Sequence, residues 1–271
     1  MKNIYSLIIS IFVINSSSIF SQSMFGENLS MNSIGVFSGY SLGIHKLNVS
    51  IDDGDCHCAK FDNKNQDAYN FGFTYERIIY YNSIIEISTS LSSYYEHFNY
   101  YNVQRGDDVS SLVEFSKEDQ GYNPKDPNQN IHVSNLVYDL KLNYNIFGVE
   151  SLNKIKLSNI PIRLVLGFQL ANVESTNIRK DMKILTKYAQ FITVPNYKYT
   201  DSGKTLLLDD GKLKESNIRV CLKTGIEFPV NLWMITINPG IYYTYSFKTI
   251  SKNYDWYIDA VETNVEIFYN F

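Results

Sequence analysis

Three residues that can bind a metal or form a disulfide lie close together in "DDGDCHC", namely Cys56, His57 and Cys58. Thiolates and imidazole suit a transition metal, but a tetrahedral site would need further ligands from elsewhere in the chain. In an oxidising compartment a disulfide between Cys56 and Cys58 is the plainer expectation. Cys221 is the third cysteine of the chain, so the pairing of the three stays open. No metal site and no cofactor is predicted.

Four histidines are the candidates for acid-base chemistry: His45, His57, His97 and His132. The strand assignment below places all four at or above the outer rim of the fold, where side chains are usually solvated. No nucleophile motif accompanies them, as a hydrolytic site would require. The stretch "DSGKTLL" resembles the end of a phosphate-binding loop, but Lys198 stands where that motif needs glycine. We therefore predict that the protein is not an enzyme.

Residues 1–21 are predicted to be a secretory signal peptide. Lys2 precedes an apolar run from Ile4 to Ile14, and small residues follow it. This run is shorter than the roughly 20 residues of a membrane-spanning helix, and no later run reaches that length. Residues 22–271 are therefore predicted to form one domain without a helical span. The formal net charge of -4 provides no basic field for nucleic acid.

Residues 22–271 alternate apolar and polar side chains with a period of two, which is typical of strands between two different environments. The clearest segment is "NLVYDLKLNYNI", with Leu142 and Tyr144 on the predicted outer face and Asp139 and Lys141 on the inner one. The same pattern predicts eight strands, within 34–44, 69–76, 85–96, 135–146, 162–170, 217–228, 233–245 and 257–271. Pro239 lacks a ladder donor and predicts a bulge or a local bend in the seventh strand.

The connections between these strands alternate between shorter turns and longer loops. Membrane barrels have short turns on the periplasmic side and longer loops outside, whereas a secreted β-sandwich, the alternative, has no reason to sort its loops. In lipid, every backbone donor must be paired, so the sheet must close on itself. The sequence therefore predicts an all-β fold, an eight-stranded antiparallel up-and-down transmembrane β-barrel with long extracellular loops, in the cell outer membrane.

Eight strands enclose an interior just wide enough for side chains to fill it. Buried charges persist when they are paired and hydrogen-bonded, so inward-facing charges predict a structural ion-pair network. A polar conduit or a ligand site in the lumen is the alternative. The predicted network comprises Glu76, Glu86, Asp139, Lys141, Arg163, Arg219, Lys223, Glu227, Glu262 and Glu266.

Five features carry a resemblance to a known family: the first strand "GVFSGYSLGIH", then "YNFGFTYE" and "NSIIEISTSL", the Pro239-Gly240 step and the final "VEIFYNF". They resemble the PorT-like outer-membrane β-barrel proteins, in the wider OmpA-like eight-stranded class. In this class a final aromatic residue preceded by alternate apolar residues looks like the signal that the barrel assembly machinery reads. The resemblance implies such a signal in Val265, Ile267, Tyr269 and Phe271.

The function expected from these observations is that of a non-enzymatic surface or structural protein that acts through its extracellular loops, in binding or adhesion. The alternative is a transport or secretion component whose loops or lumen handle a cargo. One member of the PorT-like family that this chain resembles is associated with protein secretion. The expected partners are the lipid bilayer of the outer membrane, the barrel assembly machinery, and an extracellular or periplasmic protein. Nucleic acid is not an expected partner.

Overall fold

A computed structural model describes residues 32–52, 57–61, 64–108, 113–115, 134–157, 160–185, 189–191, 198–211, 218–250 and 255–271. The strands are β1 (Asn32–Asp52), β2 (His57–Phe61), β3 (Lys64–Tyr81), β4 (Ile85–Asp108), β5 (Val113–Phe115), β6 (Ser134–Leu157), β7 (Arg163–Ile184), β8 (Ala189–Phe191), β9 (Lys198–Thr200), β10 (Thr205–Gly211), β11 (Ile218–Glu227), β12 (Val230–Leu232), β13 (Ile235–Ser246) and β14 (Asp255–Asn270). A single 3₁₀ turn, Asp201–Gly203, lies within these ranges. The predicted signal peptide, residues 1–21, lies outside them and stays a prediction.

Eight of the strands form a closed antiparallel ring in the order β1, β3, β4, β6, β7, β11, β13 and β14. The ring closes where β14 pairs with β1 in unbroken register, from Ser33 opposite Asn270 to Asn48 opposite Asp255. Closure leaves no unpaired edge in this eight-stranded ring. A sheet is stable in lipid only when its edges are paired. The predicted eight-stranded antiparallel barrel is therefore confirmed.

The membrane-facing part of the barrel is apolar outside and polar inside. Large apolar side chains are exposed on its outer face, among them Ile34, Val36, Tyr69, Phe71, Phe73, Leu164, Leu166, Phe168, Ile241, Val261, Val265 and Ile267. An aromatic row crosses three adjacent strands at the upper margin of this belt, where the rings of Phe71, Tyr95 and Phe147 are 5.1 and 4.9 Å apart. Rings of this kind mark the membrane interfaces of such barrels.

The bulge or bend predicted at Pro239 does not occur in the pairing of β13 with β14. β13 pairs with β14 without a register shift from Ile235 to Thr244, and Pro239 lies opposite Val265. On its other side, the pairing with β11 ends at Gly240, and Pro239 accepts a hydrogen bond from the Phe228 backbone. The proline is accommodated where that ladder stops.

Several strands continue well above the belt, and their polarity reverses there. In β6 the even-numbered residues face inward throughout, so Leu142, Tyr144 and Ile146 are buried in the interior while Lys141 is exposed outside. The outward assignment of this apolar row was wrong. Above the membrane the outer surface meets water and the interior is apolar, whereas at membrane level the outer surface meets lipid. The alternation therefore keeps its period of two along the strand, but the apolar residues face inward above the membrane and outward at membrane level.

The interior of this upper part, which we call the stem, is an apolar core. It is lined by buried side chains that include Phe98, Tyr100, Leu136, Tyr138, Leu140, Leu142, Tyr144, Met182, Ile184, Leu206, Trp256 and Ile258. β10 extends the wall by pairing with β7 above the point where β11 leaves it. β5 and β8, from the second and third long connections, pair with each other.

Candidate functional site

The interior at membrane level is built around buried cations. The Nζ atom of Lys154 lies 3.0 Å from Glu76, 2.9 Å from Glu227 and 2.8 Å from Glu266, and its side chain is fully buried. These carboxylates come from β3, β11 and β14, so one ammonium group ties four strands together. An ammonium in this position is stable only because each of its donors has an acceptor.

A second buried ammonium repeats the arrangement. The Nζ atom of Lys223 donates to Glu150 at 3.0 Å and to Glu262 at 2.9 Å. Thr244 donates its hydroxyl to Glu262 as well, and Gln169 donates its amide to Glu150 at 2.8 Å. The hydroxyl reaches the Glu262 oxygen that the ammonium does not, and the amide shares Oε2 of Glu150 with the ammonium, so this layer is a connected network.

Arginines close the series at both ends of the interior. At the periplasmic mouth Arg163 bridges Glu76 at 3.0 Å and Glu86 at 2.7 Å. Below the stem core, Arg219 is paired with Glu96 at 3.4 Å and donates to the backbone carbonyl of Ile258 at 3.0 Å. A cavity of about 300 Å³ remains at the periplasmic mouth, and above it paired and packed side chains occupy the interior up to the stem.

Two residues predicted for this network lie elsewhere. Lys141 is exposed on the outer face of the stem, with its Nζ 5.2 Å from the centre of the Tyr101 ring. Asp139 is on the same outer face, where it accepts a hydrogen bond from Lys183. Both errors follow from the reversed polarity of β6, because the inward face was assigned to its odd-numbered residues. The structure brings the other eight predicted residues inside the barrel.

The prediction also missed Glu96, Glu150 and Lys154 as members of the network. Glu96 is the last residue of the predicted strand 85–96, but the predicted network did not include it. Glu150 and Lys154 fall in 147–157, a stretch that the sequence pattern left in a connection. Its alternation was the available signal, but Ser151 and Asn153 interrupt the outward apolar row of β6 there.

His45 was expected at a solvated rim. It lies instead in the stem core. Its side chain is buried among the rings of Phe98, Tyr100, Tyr144 and Trp256. Trp256 donates its indole N–H to Nδ1 of His45 at 3.0 Å, so the imidazole proton resides on Nε2 and points to the Tyr144 hydroxyl at 3.1 Å. Burial, together with the positive charge of Arg219, lowers the pKa of His45 to about 3.

The other residues proposed for chemistry do not assemble into a described site. His97 lies on the outer face of β4 and contacts the side-chain amide of Asn145 at 2.7 Å. Cys221 is a buried free thiol 3.3 Å from the Ser246 hydroxyl. Within the described ranges there is no group of three or more His, Cys, Asp or Glu that could hold a metal. Cys56 and His132 lie outside these ranges, as do the side chains of His57 and Cys58, so the disulfide stays a prediction.

Closure of the ring, the apolar belt and the charged interior define the class of this protein. A closed barrel satisfies all of its backbone groups in lipid. No helix among the residues described is long and apolar enough to cross a membrane. The chain is a transmembrane β-barrel of the outer-membrane type, and its place is the cell outer membrane, as predicted.

Comparison with known proteins adds only distant matches. No protein-family profile matches the sequence, and no curated protein is similar to it. Among solved structures, the Neisserial surface protein A is 9% identical, covers 90% of this chain and 100% of its own, and gives a TM-score of 0.37. The attachment invasion locus protein Ail of Yersinia pestis, solved with a heparin analogue, is 12% identical over 89% of this chain and 99% of its own, with a TM-score of 0.30. The translocator domain of the autotransporter NalP from Neisseria meningitidis is 8% identical over 98% and 96%, with a TM-score of 0.26.

Those TM-scores are too low to carry an argument about this chain. None of the comparisons supports a PorT-like or OmpA-like relationship in particular.

Proposed function

We propose that this protein is a closed, non-conducting barrel that holds a rigid stem and its loops at the cell surface for binding or adhesion. The observation that carries the proposal is the filled interior. Lys154 and Lys223 are each held by carboxylates from several strands, and an aromatic core closes the stem above them. A cargo passing through the lumen would have to break all of these contacts, which disfavours the transport alternative.

The stem supports a surface role because it carries the loops away from the membrane on regular structure. β4 and β6 remain paired from Ile85 opposite Leu157 to Asp108 opposite Ser134. Two of the long connections are joined where Val113–Phe115 pairs with Ala189–Phe191. Loops on such a base lose less conformational entropy on binding than loops that leave directly from the membrane surface.

Conductance of the purified protein in planar bilayers tests the closed interior. We expect no stepwise current in the wild type. A Lys154→Ala/Lys223→Ala double variant, if it still shows heat-modifiable migration in a detergent gel, should remain closed, because the stem core lies above both lysines. Regular channel steps in the wild type would contradict the proposal and favour transport.

The loop role needs a separate measurement on cells. Residues 116–131 can be replaced by a short glycine-serine linker without touching β4 or β6, so the barrel should keep its heat-modifiable migration. Surface cross-linking on intact cells should then recover a partner with the wild type and lose it with the loop variant. Equal recovery with both would count against this loop as the binding element.

A further inference from the structure

The outer wall of the stem concentrates positive charge on β3, β4, β6 and β7. In the sheet register Tyr101 lies opposite Lys141, which lies opposite Arg179. Four residues higher on β4, Arg105 lies opposite Val137, which lies opposite Lys183. We call this surface the basic wall, and it comprises Lys64, Arg105, Lys141, Arg179 and Lys183.

The two carboxylates between these rows are buried beneath the cationic side chains, and each is paired with one of them. Asp139 and Asp181 face each other across β6 and β7 and are only 3% and 2% exposed. Arg179 donates its Nε–H to both oxygens of Asp181, at 2.8 and 3.0 Å. Lys183 donates to Asp139, and this hydrogen bond raises the pKa of Lys183. Five cations stand against these two carboxylates and the exposed Asp67 of β3, and Asp210 of β10 lies opposite Arg179 in the register. Arg179 and Lys183 are nearer to solvent than the carboxylates that they contact.

The aromatic ring of Tyr101 lies between two of the lysines. The Nζ atoms of Lys64 and Lys141 lie 5.5 and 5.2 Å from the centre of its ring, and Tyr101 is 41% exposed. Lys141 and Arg179 are direct cross-strand neighbours, a placement in which like charges repel. An anion bound between them would relieve this repulsion.

The height of the basic wall identifies the source of that anion. Tyr101 lies six residues above Tyr95 on β4, and Lys141 lies six residues above Phe147 on β6. A strand rises about 3.3 Å per residue and is tilted by about 45° in such barrels, so the wall stands roughly 14 Å above the aromatic row. A phospholipid headgroup layer is only about 5–7 Å deep on each side of the hydrocarbon. The wall therefore faces the layer that the saccharides of a glycolipid would occupy.

We propose that the basic wall binds phosphate groups carried on the saccharide portion of a glycolipid in the outer leaflet. The wall continues the lipid-facing surface of β4 and β6 upward, so a lipid packed against the belt below presents its headgroup here. Arginine and lysine supply the charge that phosphate recognition needs, and they attract anionic lipid at a membrane surface. This inference depends on insertion of the barrel, and it is independent of what the loops bind.

The test uses the full mature barrel in detergent with a phosphorylated rough lipopolysaccharide as the probe, and binding is measured by native mass spectrometry. The variant is Arg105→Gln/Lys141→Gln, because both side chains are exposed and both leave the pairs of Asp139 and Asp181 intact. The matched control is Lys248→Gln, an exposed lysine between β13 and β14 on the opposite side of the ring. Heat-modifiable migration verifies that each variant is folded.

We expect the double variant to bind the probe roughly tenfold more weakly than the wild type, with Lys248→Gln unchanged. Enzymatic removal of the saccharide phosphates should weaken wild-type binding to the level of the double variant. Equal binding by all three proteins would overturn the proposal. Tight binding of phosphatidylglycerol that the double variant loses would assign the wall to phospholipid, and displacement of the probe by millimolar inorganic phosphate would assign it to free phosphate. Either result would overturn the glycolipid assignment.

Discussion

Lys154 and Glu266 are in direct contact across the barrel interior, with 2.8 Å between Nζ and Oε2, although 112 residues separate them in the chain. They belong to β6 and β14, which have β1, β3 and β4 between them around the ring. The contact therefore depends on closure of the whole barrel and not on the pairing of neighbouring strands. The ion pair of Lys154 and Glu266 can therefore form only when the whole barrel has assembled.

Replacement of Lys154 by methionine should destabilise the barrel severely. Glu76, Glu227 and Glu266 would lose their shared cation in a buried site, and loss of one partner from a buried ion pair costs about 3–5 kcal/mol. The measurement is the temperature at which the folded gel band converts to the unfolded one. Lys156→Met is the control, because Lys156 is only half-buried on the same strand. Equal transition temperatures for the two variants would refute a central role for Lys154.

Gly39 should be intolerant of any side chain at the closure between β1 and β14. A Cβ atom there would lie 1.8 Å from Oδ1 of Asn264 and 2.4 Å from the backbone carbonyl of Thr263. Relief needs movement of the β14 backbone, so Gly39→Ala should cost about 1–3 kcal/mol. The measurement is the free energy of unfolding in urea. The adjacent Ser38→Ala, on the exposed outer face, should leave it nearly unchanged. A Gly39→Ala protein as stable as Ser38→Ala would show that the seam is looser than described.

His45 should make the stem sensitive to acid. Its pKa falls from an ordinary value of about 6.5 when unfolded to about 3 when folded, so the unfolded state binds the proton more tightly. The stabilisation is complete above pH 6.5 and is lost as the pH falls toward 3. Between pH 6.5 and 5 the loss is about 2 kcal/mol.

The check compares urea-unfolding midpoints of the wild type and His45→Gln across that pH range. Glutamine can hydrogen-bond but does not titrate, so the variant should be less stable at pH 7 and should show a shallower decline in acid. Carboxylates titrate equally in both proteins, and the difference between the two curves isolates the histidine. Parallel curves would mean that His45 is not buried as a neutral imidazole.

The sequence predicts the strands of this fold better than it predicts their faces. A period of two reports only that the two sides of a strand differ. In β6 the apolar row that ends at Ile146 faces inward, and the row that begins at Phe147 faces outward, on one continuous strand. The polarity changes because the surroundings of the outer face change from water to lipid at this height. No local pattern shows where that boundary lies.

The ion pairs inside the barrel could likewise not be predicted from single strands. The inward positions of Arg163 and Arg219 could be predicted because apolar residues flank both, and that of Lys223 because it alternates with Leu222 and Ile226 on the outer face. Which carboxylate meets which cation depends on the stagger of all eight strands, as the pairing of Lys223 with both Glu150 and Glu262 illustrates. That stagger is set by closure, which is a property of the whole ring.

The final residues offer a way to separate closure from recognition by the assembly machinery. Asn270 pairs with Ser33, and the Phe271 backbone donates to Asn32, so deletion of 269–271 removes part of the seam. The Phe271 side chain, by contrast, is exposed outside and contacts the ring of Tyr269.

We propose that Val265, Ile267, Tyr269 and Phe271 form the outward row that the machinery reads. Phe271→Ala should then lower the amount of folded barrel in the outer membrane of growing cells by several fold. The same purified variant should refold in detergent with a wild-type transition temperature, because the backbone pairing is kept. Deletion of 269–271 should impair both measurements. A Phe271→Ala barrel at normal levels in cells would exclude the aromatic ring as the signal, and one that fails to refold in detergent would show that the ring stabilises the fold itself.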